Sequence, residues 1–145
     1  FYHPLPIGPD SFTRYEQEMA EAAKAEEERL KARGEITDEM LAAMAKDEAT
    51  VAEGKAIFAQ YCAACHGPEG GGLIGPNLTD DYWLNGTGKP TEIRQIVAGG
   101  IAAKGMPAWG QLLGAKKVDQ VTAFVETLKG KNVPGKEPQG ELAAR

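Results

Sequence analysis

Long apolar runs, cysteines and histidines are all scarce in this chain of 145 residues. No stretch of about twenty apolar residues, the length that a transmembrane helix needs, occurs in it. Only two cysteines and two histidines are present, and His3 lies far along the chain from the other three side chains. A structural zinc site requires four such ligands at suitable spacing, so the composition disfavours this class of site.

The two cysteines lie in the segment Cys62–His66, which reads CAACH and matches the attachment motif of c-type haem. Two thiols at this spacing can form thioethers with the two vinyl groups on one porphyrin edge, and the adjacent imidazole can then ligate the iron. A redox dithiol would need a flanking strand–helix unit, which is not apparent. A disulfide closing so short a loop would stabilise little and would leave His66 without a role. We therefore predict one covalently attached haem c, held by Cys62 and Cys65, with His66 as an iron ligand.

The acidic residues are concentrated in the first third of the chain. Residues 1–53 carry six Lys or Arg and thirteen Asp or Glu, whereas residues 54–145 carry ten and eight. This asymmetry predicts an acidic arm joined to a nearly neutral core. We expect an extended and helical arm or linker over residues 1–47, a haem domain over residues 48–131 and a flexible tail over residues 132–145.

Composition and apolar periodicity predict an all-α fold. Strong helix formers over residues 13–33 indicate an exposed helix that ends at Gly34, and Thr37 is a suitable N-cap for a short helix after it. Further helices are expected over residues 49–62, 91–98 and 116–129. Short helices and long glycine-rich loops cannot enclose a core alone, but they could wrap a flat apolar cofactor.

Met106 is the candidate for the second iron ligand. It lies in the loop 104–109, which glycine and proline hold in place, so its thioether can be aimed at a metal. The other three methionines occupy helix-like positions in the arm and are expected to be apolar filler, and the rival imidazole of His3 lies in a proline-rich segment. The alternatives are that Met106 only packs, that the iron site is open, or that a ligand comes from elsewhere.

Three other features are expected to support the haem. The turn over residues 75–78 follows the CxxCH motif closely enough to supply a carbonyl to the imidazole of His66. Trp83 and Trp109 each carry one indole N–H that could bind a haem propionate. Aromatic packing is the alternative role for either tryptophan.

Taken with the CAACH motif, the segments GPNL at residues 75–78 and GMPAW at residues 105–109 resemble class I cytochrome c over roughly residues 50–130. The resemblance implies the class I cytochrome c fold, in which several short helices surround the haem. It also implies that Pro76 supplies the carbonyl acceptor for the axial histidine. A crossing of the first and last helices is implied as well, with Gly54 and Phe58 on one and Val121 and Phe124 on the other; a residue without a side chain allows two helices to approach closely.

Residues 76–84 and the run Met106–Trp109 are more narrowly similar to the membrane-anchored cytochrome c subunit of C-class (cbb-type) haem–copper oxidases. In that family the subunit passes electrons towards the oxygen-reducing core, and an acidic helical stretch precedes its first haem domain. The family subunit typically carries two CxxCH motifs, whereas this chain carries one. A free-standing soluble periplasmic carrier is therefore the alternative to an oxidase subunit.

Ligation by His66 and Met106 would raise the reduction potential and leave the iron no position for a substrate. We therefore expect a non-catalytic electron-transfer protein, with a small haem peroxidase or gas sensor as the other possibility. The expected partners are redox proteins of a membrane respiratory complex, and no nucleic acid. The expected location is the periplasm or the outer face of the cytoplasmic membrane, with membrane association through a missing anchor or through partner subunits.

Overall fold

A computed structural model describes residues 11–143 of the chain, so the proline-rich segment and His3 lie outside the described residues. The chain forms two units, of which the first ends at Ile36 and the second begins at Thr37. None of the helices among the described residues combines the length and the apolarity that crossing a membrane requires.

The first unit contains one helix, α1, over Ser11–Arg33. Its alanine, glutamate and lysine residues favour helix, and Gly34 ends it with a φ of +74°. Phe12 and Met19 are 64% and 54% exposed, and every side chain of α1 that the structure describes is exposed. The predicted exposed helix and its glycine stop are confirmed.

The second unit begins with two capped helices. The side chain of Thr37 accepts a hydrogen bond from the Met40 amide at the start of α2, Asp38–Met44. The side chain of Asp47 accepts one from the Thr50 amide at the start of α3, Glu48–Ile57. Both caps satisfy amide groups that the first turn of a helix leaves without partners, and the predicted cap at Thr37 is confirmed.

The predicted helix over residues 49–62 changes its geometry before it ends. After α3, residues Phe58–Cys62 form a π turn, and α4 follows over Ala63–His66. A π turn holds one more residue than an α turn, so it rotates the residues after it onto a different face. Phe58, the first residue of the π turn, is buried in the core, whereas Cys62, the last, is only half-buried.

Four further helical elements and a short two-stranded ribbon complete the second unit. α5 spans Pro90–Gly99, a 3₁₀ turn spans Ala102–Lys104, α6 spans Trp109–Leu113, and α7 spans Ala115–Leu128. The strands β1, Tyr82–Trp83, and β2, Glu141–Leu142, pair antiparallel with Tyr82 opposite Leu142. The all-α prediction is confirmed apart from this two-residue ribbon. Neither α6 nor the ribbon is long enough to produce a recognisable apolar period.

The core lies where α3 crosses α7. Gly54 lies against the backbone of α7, and the rings of Phe58 and Phe124 are 5.3 Å apart between the two helices. Val121 is 1% exposed at the same contact. The helix crossing that the resemblance implied is therefore present.

The domain boundaries differ from the expected ones at both ends of the haem domain. The compact unit begins at Thr37 rather than at residue 48, because α2 packs against α5 and α7 and Leu41 is fully buried there. Asp38 also accepts a hydrogen bond of 2.8 Å from the Thr91 amide of α5. At the other end, residues 132–143 fold back and pair through β2 instead of leaving the unit as a tail.

Candidate functional site

A cavity lined mostly by apolar side chains opens between the π turn, the glycine-rich loops, α5 and α7. Leu78, Ile93, Val97 and Val121 are among its walls. The structure brings all seven predicted site residues to this one cavity; they are Cys62, Cys65, His66, Pro76, Trp83, Met106 and Trp109.

The two thiols enter the cavity from the π turn and from α4. Burial, with a smaller contribution from a neighbouring charge on Cys65, raises the pKa of the Cys62 thiol to about 11. Redox-active dithiols have a lowered thiol pKa, so this environment disfavours a dithiol role. No group of three or more His, Cys, Asp or Glu side chains suited to a metal ion occurs within residues 11–143.

His66 is held in one orientation. Its Nδ1 is 3.0 Å from the carbonyl oxygen of Pro76. A carbonyl can only accept, so Nδ1 must carry the proton and Nε2 is left with the lone pair that a metal needs. Burial lowers the pKa of His66, the Lys136 ammonium lowers it further, and the hydrogen bond to Pro76 acts in the opposite direction. The net effect favours the neutral imidazole.

The loop after α4 is folded so that Pro76 returns to His66. The amides of Leu73 and Gly75 both donate to the Cys65 carbonyl, at 3.1 and 2.8 Å, and the Gly72 amide donates to the His66 carbonyl at 2.7 Å. A Cβ on Gly75 would lie only 2.8 Å from Cε1 of His66. The loop backbone thus lies directly against the imidazole ring.

Met106 lines the cavity from a loop that backbone hydrogen bonds hold closed. The backbone of Met106 exchanges two hydrogen bonds with Ile101, of 2.9 and 3.1 Å. Gly100 has a φ of +68° and lies close to Pro107. A Cβ on Gly100 would be 2.5 Å from the carbonyl carbon of Pro107. These contacts fix the backbone that carries the half-buried thioether.

The two tryptophans have different surroundings. Trp83 is 8% exposed, and the Lys129 ammonium lies 5.6 Å from its ring centre. Trp109 is half-buried, and its ring lies 5.3 Å from that of Tyr61. Both line the cavity while also packing against protein groups, so each contact set suits packing as well as cofactor binding.

The residues fit a c-type haem. Two thiols, an imidazole with one nitrogen available and a thioether meet in a single apolar cavity, which is the donor set of a covalent six-coordinate haem. Sequence reasoning missed Lys136 and Gln139, which also line the cavity. Both lie in the segment that the sequence predicts to be a flexible tail. Its glycine and proline residues give no indication that it lines a binding site.

The model of the family described as "Cytochrome C oxidase, cbb3-type, subunit III" matches residues 49–125. The cbb3-type cytochrome c oxidase subunit FixP of Azorhizobium caulinodans is 40% identical over 101 residues, which are 64% of this chain and 34% of that protein. Subunit CcoP of Rubrivivax gelatinosus is 34% identical over 131 residues, which are 89% of this chain and 40% of that protein. The chain thus spans well under half the length of these curated relatives.

A solved structure, cytochrome cL from Methylophaga aminisulfidivorans, superposes with a TM-score of 0.50. The match covers 57% of each chain at 24% sequence identity, so it bears on the fold alone. It confirms the predicted class I cytochrome c fold.

Proposed function

Since this chain belongs to the cbb3-type cytochrome c oxidase subunit III family, we propose that it is a c-type cytochrome that carries one haem and transfers single electrons inside a respiratory oxidase. One observation carries the proposal. The hydrogen bond of 3.0 Å from His66 to the Pro76 carbonyl leaves Nε2 for iron in a cavity that also holds both thiols and the Met106 thioether.

When bound, haem c supplies an iron that takes up and releases one electron. Cys62 and Cys65 would hold the porphyrin through thioethers, while His66 and Met106 would ligate the iron. One CxxCH motif is present, so one haem is proposed for this chain. The Pro76 carbonyl orients the imidazole, and the bridge between Ile101 and Met106 limits movement of the thioether.

The walls of the cavity contribute in a second way. Apolar side chains of the cavity keep water from the site. Ligands that a rigid backbone holds need not rearrange when the site gains or loses one electron. If His66 and Met106 both ligate the iron, no coordination position would be left for a substrate. We therefore assign this chain an electron-transfer role rather than a catalytic one within the oxidase.

The names of the relatives support the partner assignment. FixP and CcoP are subunits of cbb3-type cytochrome c oxidases. We accordingly propose that the partners of this chain are redox subunits of a membrane oxidase and that the haem domain lies on the periplasmic side of the cytoplasmic membrane. The acidic residues 1–36, which precede the compact unit, would join this domain to the rest of the assembly.

The chain should be produced in a host with a c-type maturation system, alongside a variant carrying Cys62→Ser and Cys65→Ser. The parent chain should retain haem after denaturation, with the mass of one haem added, and the double variant should not. The reduced-minus-oxidised spectrum should show low-spin c-type bands, and rapid mixing with a reduced donor and purified cbb3 oxidase should show electron passage through the chain.

Four results would contradict this function or part of it. A colourless matured chain would refute haem attachment, and a high-spin ferric spectrum would refute the six-coordinate carrier. Carbon monoxide binding to the ferrous protein at neutral pH would favour a gas sensor or peroxidase. Reversible reduction without electron exchange with the oxidase would instead favour a free-standing periplasmic carrier.

A further inference from the structure

Residues 132–143, named here the C-terminal strap, are bound along the loop that follows the haem motif. The Asn132 amide donates to the Thr79 carbonyl at 3.0 Å, and the Val133 amide donates to Oγ1 of Thr79 at 2.9 Å. Further along, the Lys136 amide donates to the Gly71 carbonyl at 2.8 Å. The strap therefore follows the same loop that carries Pro76 to His66.

Glycines allow the strap and the loop to touch backbone to backbone. A Cβ on Gly135 would overlap the Gly71 carbonyl oxygen, and a Cβ on Gly72 would lie 2.8 Å from Cβ of Lys136. Asn77 adds two hydrogen bonds from Nδ2, at 3.2 Å to the Val133 carbonyl and at 3.3 Å to the Lys136 carbonyl. This close contact determines where the side chains of the strap lie.

Lys136 is placed in the cavity wall by these contacts. Its side chain is half-buried and lines the cavity, and Nζ donates a hydrogen bond of 3.0 Å to the Ile74 carbonyl. Ile74 lies two residues before Pro76, so the ammonium is held at the part of the loop that contacts the imidazole.

Gln139 provides an independent sign that the strap faces the cofactor. It also lines the cavity, and its buried Oε1 has no hydrogen-bond partner among the described residues. Buried amide oxygens are normally satisfied, so an unsatisfied one at a cavity wall is suited to a polar group in that cavity. Two side chains of the strap thus present polar groups to the space that the haem would fill.

We propose that Lys136 is a positioning residue of this cytochrome that raises the reduction potential of the iron by holding a fixed positive charge in the cavity wall. The proposal rests on the proposed haem function. The oxidised site carries one more positive charge than the reduced site, so a nearby ammonium destabilises the oxidised form. For a charge roughly 10 Å away in a medium of intermediate dielectric constant, the reduction equilibrium constant changes by roughly three- to tenfold. A tenfold change corresponds to about 59 mV for a one-electron couple.

The test is a redox titration of the haem-loaded chain with four variants. Lys136→Gln and Lys136→Met remove the charge but keep most of the side chain, and Lys136→Arg keeps the charge. Lys131→Gln is the matched control, because Lys131 is exposed and does not line the cavity although its loss changes the net charge equally. We expect Lys136→Gln and Lys136→Met to lower the reduction potential, with a roughly three- to tenfold smaller equilibrium constant for reduction. Lys136→Arg should keep the potential of the parent chain. Lys131→Gln should have little effect, and added salt should reduce the shift only partly because Lys136 is half-buried.

Several results would overturn the proposal. These are an equal shift in Lys131→Gln, an unchanged potential in Lys136→Gln, or a shift in Lys136→Arg as large as in Lys136→Gln. A change of axial ligands, seen in the spectra of both charge-removing variants, would also overturn it, since Lys136 would then act through the fold. A parent chain without a reversible one-electron couple would refute the proposed function itself, which is distinguishable from all of these results.

Discussion

Cβ of Phe124 lies 2.8 Å from the point where a Cβ on Gly54 would be. The same Cβ would overlap the backbone carbonyl of Gln120, so the two helices touch through a position without a side chain. A side chain at position 54 cannot be accommodated by a rotamer change, because the obstacle is backbone. The separation of α3 and α7, and with it the cavity beside them, depends on this glycine.

Gly54→Ala is therefore expected to destabilise the haem-loaded chain by about 3 kcal/mol, since overpacking against backbone forces the helices apart. Denaturant unfolding followed by far-UV circular dichroism measures the change. Gly99→Ala is the matched control, because nothing lies within 4 Å of a Cβ at that helical position. Its stability should be unchanged or slightly higher, and equal losses in the two variants would disprove the role of the close contact.

Met106→Ala is expected to remove the proposed second iron ligand. The weak red absorption band of sulfur-ligated ferric iron should disappear, the reduction potential should fall, and the ferrous form should bind carbon monoxide. Met19→Ala provides the control, because Met19 lies on α1 and is 54% exposed. Retention of the red band in Met106→Ala would show that another group ligates the iron.

Asn77→Ala is expected to release the C-terminal strap. Oδ1 of Asn77 accepts hydrogen bonds from the Thr79 amide at 2.9 Å and from the Thr79 hydroxyl at 2.6 Å. Nδ2 of Asn77 donates hydrogen bonds to the carbonyls of Val133 and Lys136 in the strap. Loss of these bonds in a buried site should cost about 3 kcal/mol. Denaturant unfolding measures the cost, and amide hydrogen exchange at Lys136 should accelerate. Gln95→Ala is the control, because Gln95 is exposed, and it should alter neither measurement. Unchanged amide hydrogen exchange at Lys136 in Asn77→Ala would contradict this role of Asn77.

The contact between α2 and α5 should depend on pH through Asp38. Hydrogen bonds from Thr91 lower the pKa of Asp38 below its ordinary value of 3.8. A lowered folded-state pKa means that the contribution to stability is complete above pH 3.8 and is lost as the pH falls through the folded-state pKa. Asp38→Asn should therefore melt at a lower temperature than the parent chain at neutral pH, and the difference should shrink below pH 3.8.

Glu39→Gln removes the same charge from the neighbouring exposed residue of α2. Its melting temperature should differ less from that of the parent chain at every pH. A gap between Asp38→Asn and the parent that stays constant as the solution is acidified would refute the linkage to Asp38.

The helices could be predicted where their signals are local. Thr37 caps α2 through an amide three residues away, and Gly34 ends α1 through its own φ. The strap was misread as a flexible tail because its partners lie far away in sequence: Asn77 is bonded across 56 and 59 residues to Val133 and Lys136. No periodicity in residues 132–143 indicates such a partner.

The sequence alone determined the chemical class of the site, because the CAACH segment places two thiols and an imidazole within five consecutive residues and requires no fold to be recognised. Tertiary structure decided the state of those groups. It placed the Pro76 carbonyl on Nδ1 of His66 and the Lys136 ammonium at the cavity wall. Tautomer, pKa and local field depend on which distant groups share a volume of low dielectric constant, and that is a property of the folded chain.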